Sequence, residues 1–381
     1  MEIKTVADIN QYSGSSVNPL EHPEQLYELY SVPSFETGYP EIVKGRDIGS
    51  TKITVEEGDV LVCKINPRIN RVWVVKHNTE YPLLASSEWI VVRNKNIDSN
   101  YLKWYFSSPT FRTLLNSQVA GIGGSLTRAQ PKQVAKYSVP VPSRSEQQQV
   151  SENLDKVNDL IALRKEQLTK LDQLVKSRFI ELFGDPVSNP HGYPKVPLSE
   201  LAEIKIGPFG SLLHKEDYIA NGHALVNPSH IVAGKISVDD ELTVSDEKFS
   251  ELSAYHLQIG DVVMGRRGEM GRCAVVQTDG LLCGTGSLWI RTKGDVTADY
   301  LQKIISFPSF KKTIEDMAVG QTMPNLNVPI VSRFQIIKPP IEVQKAYYSF
   351  VEQTDKSKMA IQHSLDKLEL LKKSLMQEYF G

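Results

Sequence analysis

From Val150 onward apolar side chains recur at alternating steps of four and three, through Leu154, Val157, Ile161, Leu168, Leu171, Val175 and Leu182, with Arg164 and Arg178 as the only breaks. Such a heptad stripe predicts a long helix whose narrow apolar seam needs a partner helix. The same positions moved on by 197 residues give Tyr347, Val351, Ile361, Leu365, Leu368, Leu375 and Tyr379, with Thr354, Lys358 and Lys372 at the weak points. At about 1.5 Å of rise per residue, a stretch of roughly 37 residues is roughly 55 Å long, far beyond the usual helix of about 11 to 12 residues. Gly184 followed by Asp185-Pro186 stops the first helix, and Phe380-Gly381 closes the second. An antiparallel intramolecular coiled coil satisfies both seams at once.

The stripes belong to a larger repeat, which is sought before motifs because missing it misreads the fold. LTKLDQLVKSRFIELFG at 168–184 aligns with LDKLELLKKSLMQEYFG at 365–381, with identities that include Leu168/Leu365, Leu174/Leu371, Phe183/Phe380 and Gly184/Gly381. Upstream, Tyr101, Leu102, Pro109 and Phe111 meet Tyr300, Leu301, Pro308 and Phe310. Trp89-Ile90 meets Trp289-Ile290, Arg71 meets Arg272, and Gly58-Asp59-Val60 meets Gly260-Asp261-Val262. The shift drifts from 202 to 197, as small loop deletions in a duplicated module would leave it.

Between the stripes the pattern changes to short β-type runs, DVLVCKI, RVWVVK and EWIVVR in the first copy and DVVMG, RCAVVQ and SLWIRT in the second, separated by Gly, Asn and Pro turn signals. NYLKWYFSSPTFRTLL and DYLQKIISFPSFKKTI carry helical spacing interrupted by proline, which predicts two short helices in place of one. The expected fold is α+β: two globular domains with small twisted sheets, at 1–143 and 185–340, separated by the two-helix coiled coil of 144–184 and 341–381. An internal pseudo-twofold axis relates the halves.

A chain of 381 residues, 40% hydrophobic, is long enough for more than one core. With 43 Lys and Arg against 45 Asp and Glu the net charge is −2, so any surface for nucleic acid must be local. Cys63, Cys273 and Cys283 form neither an even framework nor a CxxC pair. The N-terminal residues MEIKTVADINQYSG carry no leader pattern and no window approaches a membrane span; a cytoplasmic location is expected.

Two differing α+β domains alternating with two similar long helices resemble, across essentially the whole chain, the specificity subunits of type I restriction-modification systems. The likeness rests on Pro140-Val141-Pro142-Ser143-Arg144-Ser145-Glu146-Gln147-Gln148 at the start of the first helix and on Phe183-Gly184 and Phe380-Gly381 at the helix ends. Ile206-Gly207-Pro208-Phe209-Gly210-Ser211 in the second domain adds to it. Pro339-Pro340-Ile341-Glu342-Val343-Gln344 reads as a second junction, one residue shorter and without the Glu-Gln dipeptide. The resemblance implies that each globular domain is a target-recognition domain reading one half of a bipartite site in double-stranded DNA. It implies too that the helices set the spacing and dock two modification (methyltransferase) subunits, with restriction/translocase subunits joining the complex. Because the domains differ, the half-sites are expected to differ.

Base edges are read by cationic and amide side chains, arginine on guanine being the commonest specific contact. Lys64, Asn66, Arg68 and Arg71, with Arg266, Arg267 and Arg272 in the second copy, follow the two GDV strands and are the first candidates. The glycine-containing segments around Gly124, Ser125, Thr127 and Arg128, and around Gln321, Thr322 and Asn325, are the second. The family resemblance turns these segments toward DNA. Phe209, Ser211 and Lys215 form a third set, with Lys44 and Arg46 in the first domain.

No Asn-Pro-Pro-aromatic or Asp-Pro-Pro-aromatic motif of an amino-methyltransferase is present, and no GxxxxGK phosphate loop. Glu203-Ile204-Lys205 alone is too short to define a nuclease site, and His214, His223, His230 and His256 lack metal-site spacing. The chain is therefore expected to be non-catalytic and to bind no metal or cofactor, with S-adenosylmethionine, ATP and Mg carried by partner subunits. The competing reading is a coiled-coil assembly scaffold whose globular domains bind protein and do not recognise DNA sequence.

Overall fold

The computed structural model describes residues 2–117, 119–120, 127–208, 212–318 and 325–381. Both stripes lie on helices of 40 residues, Arg144–Phe183 and Ile341–Phe380. The chain divides into two compact units, Met1–Gln167 with Ile361–Gly381, and Leu168–Ala360. These units cut both long helices and do not follow the four-segment division at 143, 184 and 340, because the helix ends are built into the globular cores.

In the first unit the three anticipated strands form an antiparallel sheet in the order Val72–Val74, Val60–Cys63, Trp89–Val92. Val60 and Val62 turn toward the short helices Ser99–Phe106 and Pro109–Ser117, separated at proline as foreseen. Leu61, Cys63, Trp89 and Val91 turn the other way and pack with Tyr30, Val55, Val75 and Ala85. Burial of both faces explains why the strand reads as an unbroken apolar run. A five-stranded sheet in the order Ser16–Val17, Lys52–Thr54, Leu83–Ala85, Leu26–Tyr30, Glu41–Lys44 completes the domain. Glu2–Thr5 pairs with Ser138–Val141, which leads into the first long helix.

The second unit repeats the plan. Its sheet runs Ala202–Ile206, Ser287–Thr292, Val262–Gly265, Cys273–Val275, its short helices are Ala298–Ile305 and Pro308–Met317, and Lys195–Pro197 pairs with Gln335–Ile337. A further four-stranded sheet contains Tyr218–Ile219, Thr243–Val244, His223–Val226 and Leu282–Cys283.

Strand register corrects the repeat at one place. Val60 lies opposite Val92, and Val262 opposite Ile290, so Trp289 corresponds to Val91 and Arg291 to Arg93. The Trp89/Trp289 and Ile90/Ile290 matches are thus two residues out of step. Because side chains alternate with a period of two, the mismatch still leaves both tryptophans on the same face. The true counterparts are informative: Arg93 grips Asp59 and Arg291 grips Asp261, each through two bonds of 2.7 Å.

The second helix junction also needs correction. Gln147 and Gln344 are both buried; each follows its proline, Pro142 or Pro339, at the same distance, and each amide donates to that proline's carbonyl. Their side-chain oxygens accept from Asp98 N at 2.9 Å and Thr297 N at 3.0 Å. Asp98 and Thr297 are the N-caps of the first short helix in each unit. The glutamine is therefore the retained part of the junction; Val343 merely takes the place of Glu146.

Within each unit the long helices run antiparallel. In the first, Asn153 bonds Tyr379, Lys372 bonds Asn158, and Lys165 pairs with Glu369 at 2.9 Å. In the second, Lys358 pairs with Asp172 at 2.7 Å and Tyr347 packs on Phe179. The weak points of the second stripe thus carry polar contacts in place of apolar ones. Met376 and Phe380 enter the first unit's core beside Tyr101 and Tyr105, while Phe179 and Phe183 enter the second unit's beside Tyr300.

Candidate nucleic-acid interface

In each unit the turn after the Gly-Asp-Val strand meets the segment that follows the short helices. Cys63 N bonds Arg71 O to close the first hairpin, while Lys64 O accepts from Ala129 N and Asn66 N donates to Thr127 O. In the second unit Gly265 N bonds Arg272 O, and Arg266 O accepts from Leu326 N. Lys64 and Arg266 are therefore equivalent, as are Arg71 and Arg272. Two candidate groups distant in sequence are joined by main-chain bonds in both units. Asn66 and Asn70, at φ 50° and 51°, take the left-handed conformation that asparagine tolerates and a tight turn requires.

Charge partners sort the candidates. Arg71 is 14% exposed and held by Glu36 at 3.0 Å. Arg128 pairs with Glu88 at 3.2 Å, and Arg272 with Glu269 at 2.8 Å. Lys44 and Arg46 share Glu24. Each of these cations is already partly neutralised by a carboxylate with which a DNA phosphate would compete. Arg68 and Arg267 are exposed and have no carboxylate partner among the described residues, nor has half-buried Lys64. Arg266 is half-buried and its Nε donates to Leu326 O at 2.9 Å, so it straps the two segments together. Burial, then the neighbouring Arg267, holds its pKa below the ordinary guanidinium value.

Thr127 is buried and contributes its carbonyl to the turn. Asn325 carries a buried side-chain oxygen without a partner among the described residues. Lys215 is exposed on the turn Lys215–Asp217, and no hydrogen bond or ion pair among the described residues draws it to the hairpin. Gly124, Ser125, Phe209, Ser211, Gln321 and Thr322 lie outside the described residues.

Sequence reading missed the acids. Glu269 accepts from Arg272 and from Lys311, the latter at 2.8 Å, and Lys311 with Arg272 pulls its carboxyl down to about 2. Glu36 and Glu88 lie 35 and 40 residues from the arginines they hold, too far for any local pattern to signal. The Gly-Asp-Val repeat did carry a signal for the buried aspartate, but nothing local named its arginine.

Among the described residues no group of His, Cys, Asp or Glu is arranged to hold a metal ion. All three cysteines are free and buried, and burial pushes the Cys273 thiol up to about 12. Among the described residues no helix is long and apolar enough to cross a membrane.

Two α+β modules on one plan, each presenting a cationic hairpin and each built onto paired long helices, define a duplicated recognition protein. The sequence profile of the type I restriction modification DNA specificity domain matches residues 27–173 and again 190–371; the chain belongs to that family and carries two copies of its domain. It is 21% identical over 311 residues to the EcoKI specificity subunit of Escherichia coli K12, an alignment that takes in 75% of this chain and 66% of that protein. Among solved structures, the HsdS subunit of Thermoanaerobacter tengcongensis is similar over 100% of this chain and 96% of its own, with a TM-score of 0.52 and 16% identity. The type I S subunit of M. genitalium gives 0.53 at 12% identity, with 100% and 96% coverage. A chain from a study of type I R-M complex assembly and conformational transition gives 0.64 at 16%, with 100% and 97% coverage.

Proposed function

We propose that this chain is the non-catalytic specificity subunit of a type I restriction-modification complex, each unit reading one half of a bipartite duplex site. The observation that carries the reading is the equivalent hairpin in both units, where Arg68 in one and Arg267 in the other stand exposed without a carboxylate among the described residues. The long helices fix the unread gap and dock two modification subunits. Leu160, Leu163, Leu370 and Leu371 in the first unit, and Leu174 and Met359 in the second, are large apolar helix residues left exposed for such docking. Methyl transfer and ATP-driven steps, with S-adenosylmethionine, ATP and Mg, fall to partner subunits in this scheme, which places the complex in the cytoplasm.

The test is binding of the complex with its modification subunits to random and genomic duplex DNA across a salt series. Affinity should fall steeply as salt rises, because bound phosphates release counterions; a flat response would falsify the DNA reading. Inserting four residues into one long helix should then alter the gap between half-sites, mapped by methylation, and leave both half-sites unchanged.

A further inference from the structure

Beside the second unit's hairpin lies a hollow of about 400 Å³. Its walls come from the strand Ile231–Val232 and the turn 233–234, the hairpin residues Glu269, Gly271 and Arg272, and the two short helices with the link between them, which supply Gln302, Lys303, Ser306 and Lys311. Three of these side chains are cations and one is an acid. Glu269 binds both Arg272 and Lys311, while Lys303 is half-buried with no carboxylate partner among the described residues. Burial, then Lys176 and Lys358, disfavours charge on Lys303, so an incoming anion would relieve it.

The floor is also shaped for close approach. Gly271 sits at φ +73°, and a Cβ there would lie 2.8 Å from Ile305 O; a Cβ on Gly234, at φ +76°, would lie 2.9 Å from the Gln302 amide nitrogen. Any side chain at either place would be strained and would push against the short helices that wall the hollow. The first unit keeps cations at two of the three places, Arg71 for Arg272 and, by the repeat, Arg112 for Lys311, but has Trp104 at the place of Lys303.

We infer that this hollow is a phosphate-binding site, taking one backbone phosphate of the duplex next to the half-site read by the second unit, with Glu269 as its built-in competitor. The inference rests on the DNA reading above. A phosphate must compete with the Glu269 carboxylate for Arg272 and Lys311 and is repelled by it, so loose contact with arbitrary DNA is disfavoured. A duplex already anchored by the hairpin presents its phosphate at high local concentration and makes the exchange. The acid thus trades non-specific affinity for selectivity.

The experiment uses the complex with its modification subunits and target duplexes in which single phosphates are replaced, one at a time, by neutral methylphosphonate. The unmodified duplex against a scrambled one is measured first; absence of discrimination there overturns the DNA reading, not this site. Given discrimination, one position flanking the second half-site should lose about tenfold in affinity, and Lys311→Met should abolish that position's effect and lower the salt slope by about 1. Glu269→Gln, at a half-exposed position, should tighten binding to scrambled duplex several-fold, a gain that misfolding cannot imitate. A flat scan, or unchanged non-specific affinity in Glu269→Gln, overturns the inference. Saturable binding of inorganic phosphate or of a nucleoside triphosphate at the hollow, with a flat scan, overturns the backbone assignment as well.

Discussion

The buried pair of Asp261 and Arg291 allows a quantitative test of what holds the second reading unit together. Asp261 has a 1% exposed side chain and is met by two guanidinium bonds of 2.7 Å and by Gln258 N at 2.8 Å. Arg291 is 30% exposed and lies over the Trp289 ring. Arg291→Met strips the carboxylate of both charged bonds and leaves it inside the protein, a loss of about 3–5 kcal/mol by analogy with other broken buried pairs. Asp261→Asn leaves a neutral amide that still has Gln258 N, and an arginine that can reach water, so about 1–2 kcal/mol is expected. At roughly 2–4 °C per kcal/mol for a unit of this size, Arg291→Met should melt roughly 10 °C lower than the parent and Asp261→Asn only a few degrees. Calorimetry gives the shift, and hydrogen exchange locates it: amides of Val262–Gly265 and Ser287–Thr292 should lose protection. A Met variant melting within about 2 °C of the parent, or an Asn variant worse than Met, would refute the argument from desolvation.

Further expectations follow from the same geometry. Arg267→Ala should relax recognition in the second unit's half-site alone, by about 1–3 kcal/mol per lost bidentate contact, and Arg68→Ala in the first's alone; methylome mapping reads the relaxed half, and equal weakening on all sequences would mark these residues as phosphate contacts. Arg266→Ala should do more than relax reading, since it cuts the strap to Leu326, and exchange at Leu326 N should rise. Gln344→Ala strands Thr297 N and the Pro339 carbonyl and should destabilise the second unit by about 2–4 kcal/mol, measured by urea unfolding; an unchanged midpoint counts against the junction. Glu269 has its folded pKa held at about 2, below the ordinary 4.5. Its pairing therefore stabilises above pH 4.5, and the contribution is lost as pH falls through about 2. The urea midpoints of parent and Glu269→Gln should differ modestly at pH 6 and converge at pH 2; a gap persisting at pH 2 would show that the acid acts otherwise than through its charge.

Much of this architecture could be read from local pattern. The heptad positions, the proline breaks at Pro109 and Pro308 and the six apolar runs each depend on neighbours in sequence, and each appears where expected. Features that depend on distant partners could not be read that way. Glu2–Thr5 has a mostly exposed, weakly alternating pattern, and only pairing with Ser138–Val141 makes it a strand. The five-stranded sheet of the first unit was hidden because its strands have no recognisable second copy to compare. Trp89 and Trp289 matched in identity yet not in register, since a conspicuous residue type outweighed the Val60 and Val262 pairings that fix the alignment. At the interface, both candidate groups were visible in the sequence, but the main-chain bonds that join the 64–71 hairpin to Thr127–Ala129 were not. Nor was it visible which arginines were already engaged, because Glu36, Glu88 and Glu269 act through space.

The exchange of helix ends between repeats has a consequence for how the chain comes to be folded. Phe380 lies against Tyr101 and Tyr105, and Gly381 O accepts from Thr110 across a separation of 271 residues. Loops of that length close slowly, and a ribosome releases the N-terminal residues long before the C-terminal ones. The unit synthesised first is therefore the last to seal its interior, and until then an aromatic cleft around Tyr101 and Tyr105 stays open to whatever apolar segment finds it.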